Sequence, residues 1–238
     1  MIDVLSYLEE RIDEFERHVS IARMLEARVD ELAGEGDIRV EVRHVNTIKS
    51  GLLIHLYNIV EAITTRTLTT VGRTVVADRP KRWTEAVLKE WVRAEVWGGE
   101  ERIGDGALNR LTRVSVALAS GESPAAFAVK GEPGSWDDKA IKRVADRLGC
   151  DLTLPPEISR AAYERVYRDE TTAMEYLARR RNAIAHGAST FEDGAHDLSL
   201  DDLERLAGRV LPYLRAVSGA YKAFLENKAY LIQEEAVA

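Results

Sequence analysis

The sequence has very little cysteine, since Cys150 is the one example among 238 residues. A single cysteine excludes an internal disulfide and a zinc site built from cysteine pairs. Lone cysteines are most often small buried apolar residues, so we expect Cys150 to belong to the core. No feature of the sequence calls for a metal ion or another cofactor.

The sequence also lacks an excess of positive charge. Lys and Arg total 33 against 40 Asp and Glu, which gives a net charge of −7. A protein that coats nucleic acid non-specifically is usually basic, because the neutralisation of phosphates supplies its affinity. Any contact with RNA would therefore depend on a local basic patch.

Long apolar runs are absent as well. No stretch approaches the roughly 20 apolar residues that cross a bilayer. The first residues, Met1 to Val4, lack the charged start and apolar run of a signal peptide. We therefore expect a cytoplasmic protein that makes no contact with a membrane. Hydrophobic residues make up 45% of the chain, which is enough for a buried core.

What the sequence does contain is the three- and four-residue spacing of amphipathic helices. Four long apolar stripes predict helices from the amino terminus to about residue 32, over about 41–70, over about 158–186, and from Ser199 onward. Ser199 and Asp202 form a capping-box pattern at the start of the last of these helices.

The region between the second and third stripes is interrupted by glycine and proline. It predicts shorter helices over about 82–97, 107–119 and 137–148, and a loop over 120–136 with room for one short strand at 126–129. The expected fold class is therefore all-α: a single domain, residues 1–238, with a bundle of four long helices. Residues 1–75 and 158–235 form the bundle, and about 78–157 form an inserted, mostly helical region.

One segment gathers residues that are capable of chemistry: Arg-Arg-Arg-Asn-Ala-Ile-Ala-His-Gly at 179–187. At about 100° per residue, Asn182 and His186 lie about 40° apart on one helix face, and Arg181 lies about 140° from His186. An arginine supplies a fixed charge with forked donors, and a histidine exchanges a proton near neutral pH. Such a pair could bind one phosphate group together. The helix dipole alone, however, also favours basic residues at the carboxyl-terminal end of a helix.

The spacing Arg181-Asn182-x-x-x-His186, late in a helix and before one last long helix, resembles the motif of the HEPN superfamily. Two other segments resemble its MAE-like, defence-associated bacterial branch. One is Leu-Tyr-Asn-Ile-Val-Glu at 56–61, and the other is the short helix from Ser135 to the Leu-Gly pair at 148–149. The resemblance covers the long helices and this short helix, but not residues 78–130.

The resemblance implies an endoribonuclease that needs no metal and acts as a toxin or antiphage-defence effector. RNA would be cleaved by attack of a ribose 2′-OH on the adjacent phosphorus, at a site shared by two subunits of a homodimer. Arg181, Asn182 and His186 are the implied catalytic residues. Glu61, which would pair with a motif arginine, and Arg180 are the implied supporting residues.

A cognate antitoxin or defence-system partner is a further expectation. Some HEPN toxins carry a tyrosine two residues after the motif histidine, which an antitoxin modifies. Ala188 occupies that position here, so we do not expect neutralisation by that route. Two alternatives stay open: a catalytically inactive HEPN module that binds RNA or protein, and a helical interaction protein whose Arg-His spacing is accidental.

Other polar residues have simpler interpretations. His55, Asn58 and Glu61 form a polar stripe that a solvated face or a hydrogen-bonded pair within the bundle would explain. His18 and His196 have no partner at the spacing of metal ligands, as is also true of His44. We therefore interpret these three histidines as ordinary surface or boundary residues.

Overall fold

The computed structural model describes residues 1–29, 39–96, 104–122, 124–131 and 135–233. These residues form eight α-helices and no β-strand, so the predicted all-α fold class is confirmed. The segment 126–129 is not a strand. The helices are α1 (Ile2–Glu26), α2 (Val42–Val75), α3 (Glu85–Val96), α4 (Asp105–Ser120), α5 (Asp138–Leu148), α6 (Pro156–Tyr163), α7 (Ala173–Ala185) and α8 (Leu200–Glu226).

The third predicted long helix is wrong in one respect, because the chain leaves the helix between α6 and α7. Asp169 and Glu170, in this connection, have φ angles of 58° and 51°. These values lie in the left-handed region, which a right-handed α-helix cannot contain. The apolar spacing runs through the break because Tyr167, on the connection, still packs against the core.

The first helix is also shorter than its stripe predicts. α1 ends at Glu26, and residues 30–38, where the stripe and its terminating glycines continue, lie outside the described residues. α1, α2 and α8 pack against one another, and α7 lies against α2 and α8. The motif helix is therefore held on the bundle by the two longest helices.

One hydrophobic cluster joins the bundle to the predicted insertion. Trp83 and Trp91 are each 2% exposed, and they pack edge to face with ring centroids 5.6 Å apart. The Trp83 indole N–H donates to the carbonyl oxygen of Val75, at the end of α2, at 3.1 Å. These tryptophans serve packing. Cys150 is 2% exposed in the same cluster, which confirms its place in the core.

None of the helices within the described ranges has the length and apolarity that a bilayer crossing requires.

Candidate functional site

The motif helix α7 begins at a capping box that the sequence analysis missed. The Thr172 hydroxyl accepts a hydrogen bond from the Glu175 N–H, and the Glu175 carboxylate accepts one from the Thr172 N–H. The signal, Thr-x-x-Glu, was present in the sequence. Thr172 also donates its hydroxyl to the buried carboxylate of Asp138, at 2.7 Å, and burial raises the pKa of that carboxyl. The start of α7 is thereby tied to the start of α5.

The motif helix ends at the motif histidine. His186 is the carboxyl-terminal cap, its N–H donates to the Asn182 carbonyl at 3.0 Å, and Gly187 follows with a left-handed φ of 74°. Glycine is the residue that adopts this conformation at least cost, so the chain turns away here. The His186 side chain is exposed, and its ring has no hydrogen-bond partner within the described part of the chain. The imidazole is therefore open to a ligand.

The motif arginine is held on three sides. The Nη2 of Arg181 donates to Oε1 of Glu61 on α2 at 2.7 Å, and its Nη1 donates to Oδ1 of Asn182 at 3.0 Å. Its guanidinium carbon lies 4.3 Å from the ring centroid of Tyr57, also on α2, in a cation–π contact. Because the Arg181 side chain is still 22% exposed, the guanidinium is fixed in direction and remains reachable by an anion.

The motif asparagine has a partner that the sequence analysis did not assign to the site. Nδ2 of Asn182 donates to the Ser135 hydroxyl oxygen at 2.7 Å. Ser135 does not cap α5, because Asp137 fills that role by accepting from the Ala140 N–H at 2.7 Å. Ser135 and Asn182 are 47 residues apart in the chain, so no local pattern could have revealed this pair.

Each of the three consecutive motif arginines has its own acidic partner. Arg179 lies 3.6 Å from Asp169, Arg180 pairs with Asp197, and Arg181 pairs with Glu61. Three adjacent guanidinium groups repel one another, and a separate carboxylate beside each of them offsets this repulsion. Arg180 therefore lies against the loop after α7 and does not share the partners of Arg181.

Arg180 also packs over the ring of Tyr176, with 5.5 Å between the guanidinium carbon and the ring centroid. Burial alone would raise the pKa of its partner Asp197, but the hydrogen bond and charge of Arg180 hold it below its usual value. The carboxylate is therefore charged at neutral pH and keeps Arg180 on the loop.

The loop from Gly187 to Ser199 is fastened to α2 behind the motif. The ammonium group of Lys49 donates to the Leu198 carbonyl at 2.6 Å. Gly194 lies so close to Ile184 that an added Cβ would sit 2.6 Å from Cγ1 of that side chain, and 2.7 Å from the Ser50 hydroxyl on α2. A glycine is needed here because the loop backbone must approach both helices.

Replacing Gly194 with alanine is expected to lower the free energy of unfolding by about 1–3 kcal/mol, because the new methyl group overpacks the space between Ile184 and Ser50. Urea or guanidinium unfolding followed by circular dichroism measures this change. Gly208→Ala is the matched control, since a Cβ there meets no atom within 4 Å and an alanine in the middle of a helix stabilises it by up to about 1 kcal/mol. Equal stability of the two variants would contradict the packing argument.

Two residues of the polar stripe on α2 contact two different helices. Glu61 contacts α7, whereas His55 faces α1, where its Nδ1 lies 3.2 Å from Nδ1 of His18 and its Nε2 lies 3.6 Å from Glu14. His18, which was interpreted as an ordinary surface or boundary residue, is exposed and contacts His55. Burial, and the nearby charge of Arg11, lower the pKa of His55 although Glu14 opposes them.

The remaining histidines of the sequence analysis have local roles. His44 accepts the Glu41 N–H at the start of α2, and Nδ1 of His196 lies 2.6 Å from the Asp193 carbonyl oxygen. Asn58 is exposed. In the described ranges, no three His, Cys, Asp or Glu side chains are gathered so that they could hold a metal ion.

Fold and site together define a class of protein: an all-helical bundle in which an Arg-x4-His motif closes one helix just before the last long helix. The chain matches the family model of the MAE-like HEPN domains over residues 4–230. It therefore belongs to the HEPN family. Neither the curated proteins nor the solved structures contained a match to this chain.

Proposed function

We propose that this protein is a metal-independent endoribonuclease whose catalytic residues are Arg181, Asn182 and His186. The observation that carries the proposal is the arrangement at the end of α7. There Arg181 is held by Glu61, Asn182 and the Tyr57 ring but stays reachable, while the His186 imidazole is exposed at the cap of the same helix. Many HEPN domains are ribonucleases, and membership in the family adds to this argument.

The proposed reaction is transphosphorylation. The 2′-oxygen of a ribose forms a bond to the adjacent phosphorus, and the bond from phosphorus to the 5′-oxygen of the next nucleotide breaks. A base takes the 2′-OH proton, and an acid supplies a proton to the leaving 5′-oxygen. The products are a 2′,3′-cyclic phosphate and a 5′-hydroxyl.

Each residue has a proposed task in this reaction. His186 transfers protons, and Arg181 stabilises the negative charge that develops on the phosphate oxygens. Asn182 orients Arg181 through its side-chain oxygen, and Glu61 supports the guanidinium from α2. Arg180 supports the site indirectly, because its pairing with Asp197 holds the loop that follows the motif.

A homodimer completes the proposed site. One His186 cannot act as base and as acid on opposite sides of the same phosphorus in one event. A two-fold axis beside the motif would bring a second His186 and a second Arg181 from the other subunit, because a two-fold interface pairs the same surface of both chains. The carboxylates beside the three motif arginines reduce the repulsion that such an interface would create.

The proposed biological setting is a toxin or antiphage-defence effector that acts on RNA and is restrained by a cognate antitoxin or defence-system partner. Ala188 stands where some HEPN toxins have the tyrosine that an antitoxin modifies. Control by a different route, such as binding of a partner over the exposed His186, fits this sequence better.

The purified protein is expected to cleave single-stranded RNA in the presence of EDTA and to leave 2′,3′-cyclic phosphate and 5′-hydroxyl ends. An oligonucleotide with 2′-deoxyribose at every position should stay intact, because it lacks the attacking oxygen. Product ends are identified by mass spectrometry and by their response to phosphatase and kinase. Cleavage that requires a divalent ion and leaves 5′-phosphates would refute this chemistry. Tight RNA binding with no cleavage would identify an inactive HEPN module instead.

A further inference from the structure

We infer that Ser135 is a positioning residue for the motif: its hydroxyl holds the amide of Asn182 in the one orientation that supports Arg181. This inference rests on the proposed ribonuclease function. It also assigns a role at the site to the region between the bundle helices, because Ser135 lies within the predicted insertion, directly before α5.

The argument starts from which groups can donate. A guanidinium group has only donors, so the atom of Asn182 that faces Arg181 must be the side-chain oxygen. The amide nitrogen of Asn182 must then face the other way, towards Ser135, at 2.7 Å. There it needs an acceptor, and the serine hydroxyl oxygen provides one. The orientation of Asn182 therefore depends on both of its neighbours.

Loss of the serine hydroxyl would remove one of these two constraints. Without an acceptor at position 135, the Asn182 amide nitrogen has lost its anchor, and the side chain is free to swing so that its NH₂ group reaches water. The contact that Nη1 of Arg181 makes with the amide oxygen at 3.0 Å would then be made only part of the time. Glu61 and the Tyr57 ring would still hold the guanidinium, so the expected result is misalignment rather than release.

Ser135 is itself held in place through the next residue of the chain. The N–H of Trp136 donates to the Tyr57 hydroxyl at 2.8 Å. The ring of Tyr57 lies under Arg181. The hydroxyl of Tyr57 thus fixes the segment that carries Ser135. The ring of the same tyrosine holds Arg181, which Ser135 orients through Asn182.

The residues that come just after Ser135 contact the start of α7. Asp138 accepts the Thr172 hydroxyl at 2.7 Å, and the Lys139 ammonium group lies 2.5 Å from Glu175. Together with Ser135, these residues make polar contacts with α7 from its amino-terminal cap to the motif. A side chain on this segment is therefore placed accurately with respect to the motif, as a positioning role requires.

Ser135→Ala is expected to lower kcat for RNA cleavage by about tenfold, because an unsatisfied Asn182 amide misaligns the charge-stabilising arginine. The Kd for an uncleavable 2′-deoxy analogue should change less than about twofold, since the ion pairing of RNA with Arg181 persists. Ser135→Thr retains the hydroxyl and should restore most of the rate. Ser115→Ala, at an exposed serine whose hydroxyl bonds its own helix, is the matched control and should behave as wild type.

A double-mutant cycle separates positioning from a general structural effect. If Ser135 acts through Asn182, then Ser135→Ala should cause no further loss of kcat in the Asn182→Ala background. A full additional loss there, or a wild-type kcat in Ser135→Ala alone, would overturn the inference. If Ser135→Ala fails to fold, Ser135→Cys gives the same comparison, because its sulfur is only a weak acceptor.

A measurement without RNA keeps the inference separate from the proposed function. The ¹H–¹⁵N signal of the Arg181 side-chain Nε–H, assigned by its loss in Arg181→Ala, should be sharp in the wild type and in Ser135→Thr. It should be broadened or absent in Ser135→Ala, where the guanidinium samples several orientations. If the wild type does not cleave RNA but these signals behave as expected, the function fails and the positioning role stands. Identical signals in all variants would refute the positioning role.

Discussion

Replacing His186 with alanine is expected to lower kcat for RNA cleavage by about 10²–10⁴-fold, the range typical for loss of a general acid or base. The loss should lie at the upper end of this range, because in the proposed homodimer one substitution removes the base and the acid together. The exposed imidazole at the cap of α7 has no hydrogen-bond partner among the described residues, so its removal should not disturb the fold. Steady-state rates on a fluorescent RNA oligonucleotide measure the effect.

The matched control for this variant is His44→Ala. His44 is also exposed and caps the start of α2, about 25 Å along that helix from Glu61 at 1.5 Å per residue. Its kcat should equal that of the wild type. A His186→Ala protein that keeps a rate within tenfold of the wild type, with the same thermal midpoint, would remove His186 from the mechanism.

A second large effect is expected when wild-type and His186→Ala chains are mixed. With equal amounts and free exchange of subunits, about one quarter of the dimers would contain two wild-type chains, because subunits of a two-fold dimer assort at random. If the site needs both histidines, total activity falls to about a quarter of the activity of the same total amount of wild-type protein. Independent subunits would keep about half of it.

The mixing experiment needs co-expression with two affinity tags, so that the mixed dimer can be isolated and assayed by itself. Its activity should be far below half of the wild-type value, because the site has lost either its base or its acid. Wild type mixed with His44→Ala is the control and should lose nothing. Half of the activity remaining in the mixture, or a monomer that cleaves RNA at working concentration, would contradict a composite site and leave the single-subunit site to be considered.

Much of the local structure could be predicted from the sequence, because the signals for it are local. The apolar stripes gave the all-α class, and Ser199 with Asp202 caps α8 as its pattern indicated. The end of α7 at His186 follows from Gly187, whose left-handed φ stops the helix. The motif residues were therefore found by their spacing and by their place at a helix end.

The break between α6 and α7 shows where local reasoning failed. The apolar spacing continues across it, so periodicity alone predicts one helix. The capping box at Thr172 competes with that spacing, and its hydroxyl is further held by Asp138 from α5. A buried partner on another element made the start of α7 more favourable than a continuous helix.

Which side chains meet at the motif was decided by the tertiary structure. Arg181 and Glu61 are 120 residues apart in the chain, and Asn182 and Ser135 are 47 apart. Spacing along a helix determines which residues share a face, but not what lies opposite that face. The packing of α7 against α2 brings Glu61 to Arg181, and the contact of Trp136 with Tyr57 brings Ser135 to Asn182. The sequence by itself therefore determined the residues that carry the proposed chemistry, and the packing of distant segments determined how they are oriented.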